Sequence, residues 1–366
     1  MNLENLFCQK CLLKIKILEL LEDSSKSFAE IAKFFQKNPT AWSWGRKHLE
    51  KLEKTGLVKK VGKKQFRWYI TSEGRNFLSS LKDPCLLKVY LAGSSTATKV
   101  LRSLGFKIPY LMGAGIYWNG KRFTIHHPLN FASEIFIDSG AQQFYKKFQG
   151  LEYPYSVKEY VNFAISVNAD LIATLDLPLD ILTPRGLPVK EGIEKTVEYG
   201  VAVIDEAQKL GIKNRIVPVL QGFDDPTQWI LCLDLYKSYG VKKSPSGIWG
   251  IGSLCMMKGY KLPKIIVWKM REEIKNEKLH VFGLSLTALK HVYHLIDSFD
   301  TSVWIYWAKM DGAFFCWDPY HRRFVQGQVR EGKRYDTLAL MRMNVRAIFD
   351  MVNDLNQTKM SEFRNL

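Results

Sequence analysis

The chain has 366 residues, a length that suits two domains better than one. With 46% hydrophobic and 24% charged residues it is not a disordered chain. Its 53 Lys and Arg against 36 Asp and Glu leave a formal charge of +17, which argues for a polyanionic partner, most simply nucleic acid. No apolar run approaches the ~18 residues of a membrane span, and Met-Asn-Leu-Glu-Asn lacks the basic and apolar regions of a signal peptide. Six cysteines without framework spacing fit a reducing compartment. The expectation is a cytoplasmic protein with no membrane partner.

The charge divides unevenly. Residues 1–84 hold 17 Lys and Arg and 9 Asp and Glu, so they carry a net +8, while 85–366 carry +9. Lys82-Asp83-Pro84 marks the boundary, since proline biases its neighbour away from helical dihedrals. A stripe of Leu12, Leu13, Ile15, Ile17, Leu18, Leu20 and Leu21 predicts a first helix. Ser27 caps a second, with Phe28, Ile31, Ala32, Phe34 and Phe35 on its apolar side. Asn38-Pro39-Thr40 leads into a third helix over 41 to about 55, stopped by Gly56. Two basic strands, 57–61 and 65–70, flank a Gly62-Lys63-Lys64 turn, and a last helix follows Thr71-Ser72.

That order resembles a winged helix-turn-helix. The resemblance implies a third helix in the major groove, presenting Trp42, Ser43, Trp44, Arg46 and Lys47. It also implies a wing gripping phosphate through Lys59, Lys60, Lys63, Lys64 and Arg67. The tryptophans fit a core role equally well, and a protein-interaction module with a solvated charged face is the bland alternative. Cys8 and Cys11 form a lone CxxC whose cysteines also suit a packed helix face.

From Leu86 onward, β-branched runs alternate with helical stretches. Strands are expected at 87–92, 134–137, 171–175, 216–220, 248–251, 280–284 and 292–296, with 303–307 a further candidate. Helices are expected at 156–168, 191–210 and 227–239. This alternation over 85–366 predicts an α/β fold, a (β/α)8 TIM barrel preceded by the small helix-turn-helix domain. Polar or glycine residues recur just after the strands: Asp138-Ser139-Gly140, Asp176-Leu177-Pro178, Gln221-Gly222, Gly250-Ile251-Gly252 and Asp297-Ser298-Phe299-Asp300. Any one Asp here could be a helix cap, but the recurrence places chemistry where barrel enzymes keep it.

The ordered set DSGAQQ, ATLDLP, VLQG, GIGSL, HVFGLS and DSFD, over residues 130 to 305, resembles the tRNA-guanine transglycosylase family. The resemblance implies a pentosyltransferase that exchanges guanine in a nucleic acid for a 7-deazaguanine base, with retention. It assigns Asp300 as the nucleophile and Asp138 as the general acid/base. Asp176 and Gln221 would read the base edge, with Ser139, Gly140 and the backbone at Gly250 and Gly252 shaping the pocket. Asp297 receives only a supporting role. The residue types suit the reaction: one carboxylate captures an oxocarbenium-like centre, and a second manages protons.

Two departures from the family matter. Its CxCxxC and His zinc site is missing after Asp300, where only Cys316 and His321 stand, with Cys255, His291 or His294 as remote completing ligands. A buried Cys and a surface His explain the same letters, and the chemistry itself requires no cofactor. The chain also leads with a DNA-type winged helix. Together with GIGSLC, this resembles the DNA-acting branch of the family, which makes DNA and a preQ0-like 7-deazaguanine base the expected partners. Action on tRNA is the alternative, and a DNA-binding regulator with a non-catalytic barrel is a third reading from another class. His126 and His127 are candidates for a pocket loop, His280 for a place under the pocket, and Lys309, Arg322, Arg323, Arg330, Lys333 and Arg334 for backbone contacts.

Overall fold

The computed structural model describes residues 17, 20–21, 24–33, 47, 49–50, 52–54, 58–62, 66–71, 86–93, 95–125, 128–147, 152–327 and 336–365. The chain divides into two compact units, Met1–Leu86 with Thr358–Leu366, and Leu87–Gln357.

In the first unit, β1 (Lys26–Ser27), β2 (Val58–Val61) and β3 (Arg67–Ile70) form an antiparallel sheet with β3 in the middle. Helix α1 (Phe28–Lys33) begins at Ser27, whose Oγ accepts the Glu30 N–H while the Glu30 carboxylate accepts the Ser27 N–H. This reciprocal pair satisfies two donors that a helix start would leave open. Ile17, Leu21, Ile31, Leu49, Leu52, Val58, Trp68 and Ile70 close one small core. Along β3 the residues alternate exposed and buried, the period-2 signature of a sheet with one wet face. Trp42, Ser43, Trp44, Arg46, Lys63, Lys64, Cys8 and Cys11 lie outside the described residues.

The second unit is a parallel barrel. Its staves are β4 (Lys88–Ala92), β5 (Ile108–Gly113), β6 (Ala132–Asp138), β7 (Leu171–Ala173), β8 (Ile216–Val217) continuing as β9 (Val219–Leu220), β10 (Ile248–Ile251), β11 (Lys278–Val281) and β12 (Ser298–Thr301). The sheet order runs β8-β7-β6-β5-β4-β12-β11-β10-β9. Only Pro218 separates β8 from β9, so they are one stave and the ring closes with eight. Proline has no N–H to give the ladder. Its carbonyl still accepts the Gly250 N–H at 2.9 Å, and Thr174 Oγ1 accepts the Val219 N–H at 2.9 Å.

Alternation along each stave sorts the side chains. Tyr90, Leu111, Phe136, Ala173, Val217, Val219 and Phe282 cluster inside the ring. Val89, Leu91, Tyr110, Met112, Ile137, Ile172, Trp249, Ile251, Leu279, Val281 and Phe299 join the larger core outside it. The surrounding helices include α2 (Ser95–Arg102), α3 (Ala141–Lys147), α4 (Val157–Ser166), α5 (Leu179–Leu182), α6 (Val189–Lys209), α7 (Thr227–Ser238), α8 (Lys261–Ile274), α9 (Leu286–Val292) and α10 (Val303–Lys309). A hairpin of β13 (Phe315–Asp318) and β14 (Arg323–Gln326) precedes the last helix, α11 (Thr337–Asn365).

Three strand expectations need correction. Residues 108–113 form a stave that the expected strands do not include. Residues 292–296 cover the end of α9 and a turn, and 303–307 lie within α10, so neither is a strand. The eighth stave is Ser298–Thr301, which puts Asp300 on the strand itself, facing inward with Ser298. Asp297 precedes the strand, at the opposite end of the barrel from the expected chemistry. There it pairs with Arg271 at 2.6 Å and accepts the Leu279 N–H at 2.7 Å, a structural role.

Candidate active site

The C-terminal ends of the staves converge on a cavity of about 860 Å³. Asp138, Ser139, Asp176, Gln221, Gly252, Ser253, Phe282, Gly283 and Asp300 line it, so residues from six different staves meet there. Gly250 does not line it. It sits lower on β10, where a Cβ would come within 2.6 Å of the Phe282 ring. Gly252 does reach the cavity, and a Cβ there would lie 2.3 Å from Gln221 Nε2. The glycine leaves room for that amide.

A chain of hydrogen bonds joins four of these side chains. Ser139 Oγ donates to Asp176 Oδ1 at 2.6 Å. Gln221 Nε2 donates to Asp176 Oδ2, and Ser253 Oγ donates to Gln221 Oε1. The Leu179 N–H donates to Ser253 Oγ at 3.0 Å, anchoring the far end. Tyr155 OH donates to the Ser139 carbonyl at 2.6 Å and Tyr153 OH to the Asp176 carbonyl at 2.7 Å, which fixes the two strand ends. The network satisfies buried polar groups that would otherwise be costly, and it sets each amide and carboxylate orientation. Ser253, with φ +59°, stands in the GIGSL motif, but the sequence assigns it no role.

The carboxylates differ in their surroundings. Burial pushes Asp138 up to about 8, and the negative charges of Asp176 and Asp300 push in the same direction. Burial also raises Asp176, to about 6, but bonds from Ser139 and Gln221 favour its charged form and hold it lower. Near neutral pH Asp138 therefore keeps its proton while Asp176 is mostly ionised. Two carboxyl groups pushed apart in this way supply an acid and an acceptor in one pocket. Asp138 ends its stave just before Gly140, whose φ of +72° turns the chain into α3. A Cβ at Gly140 would lie 2.2 Å from the Gly115 nitrogen, so glycine is needed both for the dihedral and for the approach.

Asp300 is 7% exposed. Its Oδ1 accepts the Gly283 N–H at 2.8 Å. Gly283 has φ +59°, and a Cβ would fall 1.9 Å from Cys255 Sγ. His280 lies beneath, fully buried, as the sequence expectation had it.

The zinc candidates do not assemble. Cys255 sits beside Gly283 at the cavity, Cys316 is an exposed residue of β13, and His321 binds Asp318 at 2.7 Å. Among the described residues no three His, Cys, Asp or Glu side chains group as metal ligands would. Of the other basic candidates, Lys309 lines the cavity and Arg322 pairs with Asp354 at 3.6 Å. Arg323 is exposed on β14. Arg330, Lys333, Arg334, His126 and His127 lie outside the described residues.

In the first unit Lys47, Lys59 and Lys60 are exposed, as a phosphate grip requires. Lys60 Nζ lies 3.7 Å from the centre of the Phe66 ring. Arg67 has a different use: its Nε donates to Ser25 Oγ at 3.0 Å, and it faces Glu30 at 3.5 Å. It ties β3 to the start of α1, so much of its capacity is spent inside the domain. A consequence is that replacing both Lys59 and Lys60 with alanine should flatten the log–log salt dependence of DNA binding by about 2. Fluorescence titrations over a salt series would check this, and an unchanged slope would count against the wing as a phosphate contact.

Residues 13–60 match the family model for the bacterial regulatory proteins of the arsR family, so a helix-turn-helix DNA-binding domain leads the chain. No helix among the described residues is long and apolar enough to cross a membrane. No curated protein sequence matches the chain. Among solved structures, a fructose-bisphosphate aldolase from Campylobacter jejuni is similar over 78% of this chain and 95% of that one, at 12% identity and a TM-score of 0.42. The likeness is loose, and the barrel stands on its own strand pairings.

Proposed function

We propose that this chain is a DNA-guanine transglycosylase, replacing guanine in DNA with a preQ0-like 7-deazaguanine base through a covalent bond to Asp300. One observation carries the reading: Asp138, whose burial and neighbouring carboxylates favour its protonated form, and a buried Asp300 reach one cavity from different staves, beside the Asp176–Gln221 network. Asp300 attacks C1′ as guanine leaves, and Asp138 gives guanine its proton. The incoming base then loses its proton to Asp138 and displaces Asp300, so two inversions retain configuration. Asp176, an acceptor, and Gln221, a donor and acceptor, suit the edge of a guanine-like ring. Beyond their bonds to one another and to Ser139 and Ser253, Asp176 keeps acceptor lone pairs and Gln221 a second N–H, which match a guanine-like edge better than that of adenine. Carboxylates supply the covalent and proton chemistry, and no step calls on a cofactor.

The leading helix-turn-helix domain favours DNA over tRNA. A target guanine in a duplex must be flipped out at a cost of a few kcal/mol, and a domain gripping the flanking duplex offsets part of it. Incubation with radiolabelled 7-deazaguanine base and either duplex DNA or tRNA tests the assignment. Label is expected in DNA. Label in tRNA alone would replace this substrate with the tRNA alternative.

The arsR-type match also supports a second reading, a DNA-binding regulator whose barrel senses a base without catalysis. Such a protein would bind the base and release no guanine. Counting free guanine in the same incubation separates the two.

A further inference from the structure

Beneath the two carboxylates lies a histidine that the steps above do not use. His280 projects into the barrel from β11 and is 0% exposed. Three aromatic rings box it in edge-on or nearly so. Ring centres lie 4.4 Å away for Phe282, 4.8 Å for Phe136 and 5.6 Å for Tyr90. This apolar box disfavours the imidazolium and lowers the ring's pKa, so the ring is neutral at neutral pH. A neutral imidazole has one donor nitrogen and one acceptor. Nδ1 lies 2.9 Å from Ser298 Oγ. Nε2 has no hydrogen-bond partner and points at Asp300 Oδ1 from 3.6 Å.

The neighbours decide which nitrogen carries the proton. With the proton on Nδ1, the Nε2 lone pair would face a carboxylate oxygen in a dry site, which is repulsive. With Ser298 donating to Nδ1, the Nε2–H points at Asp300, and the two residues both act as donors in one direction along the chain Ser298–His280–Asp300. Separations somewhat beyond bonding length in an unliganded site commonly tighten when substrate arrives.

Resting on the transglycosylase reading, we infer that His280 is a positioning residue for the nucleophile: its Nε2–H and the Gly283 N–H together hold Asp300 Oδ1, which leaves Oδ2 to bond with C1′. In the first displacement Oδ2 bonds to C1′, the C1′–N9 electron pair leaves with guanine, and Asp138 supplies the proton. Oδ1 is then the carbonyl oxygen of a glycosyl ester. In the second displacement N9 of the new base, deprotonated by Asp138, bonds to C1′. The C1′–Oδ2 pair returns to Asp300. The two donors stabilise the charged carboxylate more than the neutral ester. They therefore make Asp300 a better leaving group and keep the ester from becoming a resting state.

Three variants test this in the full-length protein: His280→Gln, whose amide nitrogen can take the place of Nε2, His280→Asn, whose amide reaches only the Nδ1 position, and His280→Phe. Quenched-flow assays with duplex DNA and 7-deazaguanine base would follow the protein–DNA ester and base exchange separately. The Asn and Phe variants should slow ester breakdown by about tenfold, the lower range for losing a hydrogen bond to a charged group, and the ester should accumulate. The Gln variant should restore breakdown to within about threefold of the parent, since a restored donor recovers most of a bond of that size. Nitrogen NMR of the parent, which needs no variant to fold, should show a neutral ring protonated at Nε2. A proton on Nδ1 would overturn the inference, as would three variants losing rate together without ester accumulation. A parent that exchanges no base would overturn the reading and the inference together, whereas an active parent with unchanged ester levels in the variants would overturn the inference alone.

Discussion

Replacing Asp300 with asparagine should abolish base exchange, by at least about 10⁴-fold, the scale seen when a covalent nucleophile is removed. The substitution is nearly isosteric. Its amide oxygen can still accept the Gly283 N–H that Asp300 accepts at 2.8 Å, so the loop after β11 keeps its anchor. An amide cannot form the glycosyl ester, so the protein–DNA adduct should vanish from denaturing gels. DNA affinity should change little, because the DNA-binding domain belongs to the other compact unit. Exchange persisting in the variant would refute the nucleophile assignment, whatever happened to binding.

The second large effect concerns Asp138. In the proposed reaction its replacement by asparagine would remove the proton that helps guanine leave, and exchange should fall by roughly 10²- to 10⁴-fold, the usual worth of general acid–base catalysis. In the parent protein, kcat/KM for the proposed exchange should fall as pH rises through about 8, where Asp138 loses its proton, and should fall again below about 6, where Asp176 gains one. The two limbs belong to an interacting set of carboxylates and report its apparent values. Stability gives an independent check. Asp138 has a higher pKa folded than unfolded, so its contribution is fully present below about 4 and is lost as pH rises to about 8. The asparagine variant has no such loss. Urea titrations should show it gaining on the parent by on the order of 4 kcal/mol between about pH 5 and pH 9. A constant gap would mean that Asp138 ionises normally, and the acid role would fail with it.

Much of the barrel was legible because inward and outward positions alternate and because polar letters recur at strand ends. The exceptions have local causes. Pro109 inside Ile108–Gly113 reads as a strand breaker, yet a register shift between Ile108 and Pro109 absorbs the missing N–H and the stave continues. The run Val303-Trp304-Ile305-Tyr306-Trp307 looks like a strand by composition, but it folds as α10, with Trp304 and Ala308 buried one turn apart. Short apolar runs cannot be assigned by period alone. At the site, the carboxylates and Gln221 could be read from their letters. The Gly283 N–H could not, since a backbone donor has no letter of its own. Ser253 was hidden for a different reason: its role depends on a positive φ and on Gln221, which lies on the neighbouring stave.

The packed interior of the barrel has a kinetic consequence. Tyr90, Phe136 and Val217 fill the ring below the carboxylates, so the cavity has a floor and no lower exit. In the proposed exchange, guanine and its replacement would share one doorway, so one would depart before the other took its place. The sugar would stay attached to Asp300 throughout that traffic, and its tether would have to outlast the vacancy. Each exchange is then expected to run in the order departure, arrival and release, with free guanine competing for the doorway it has just left and driving the reaction backward as it accumulates.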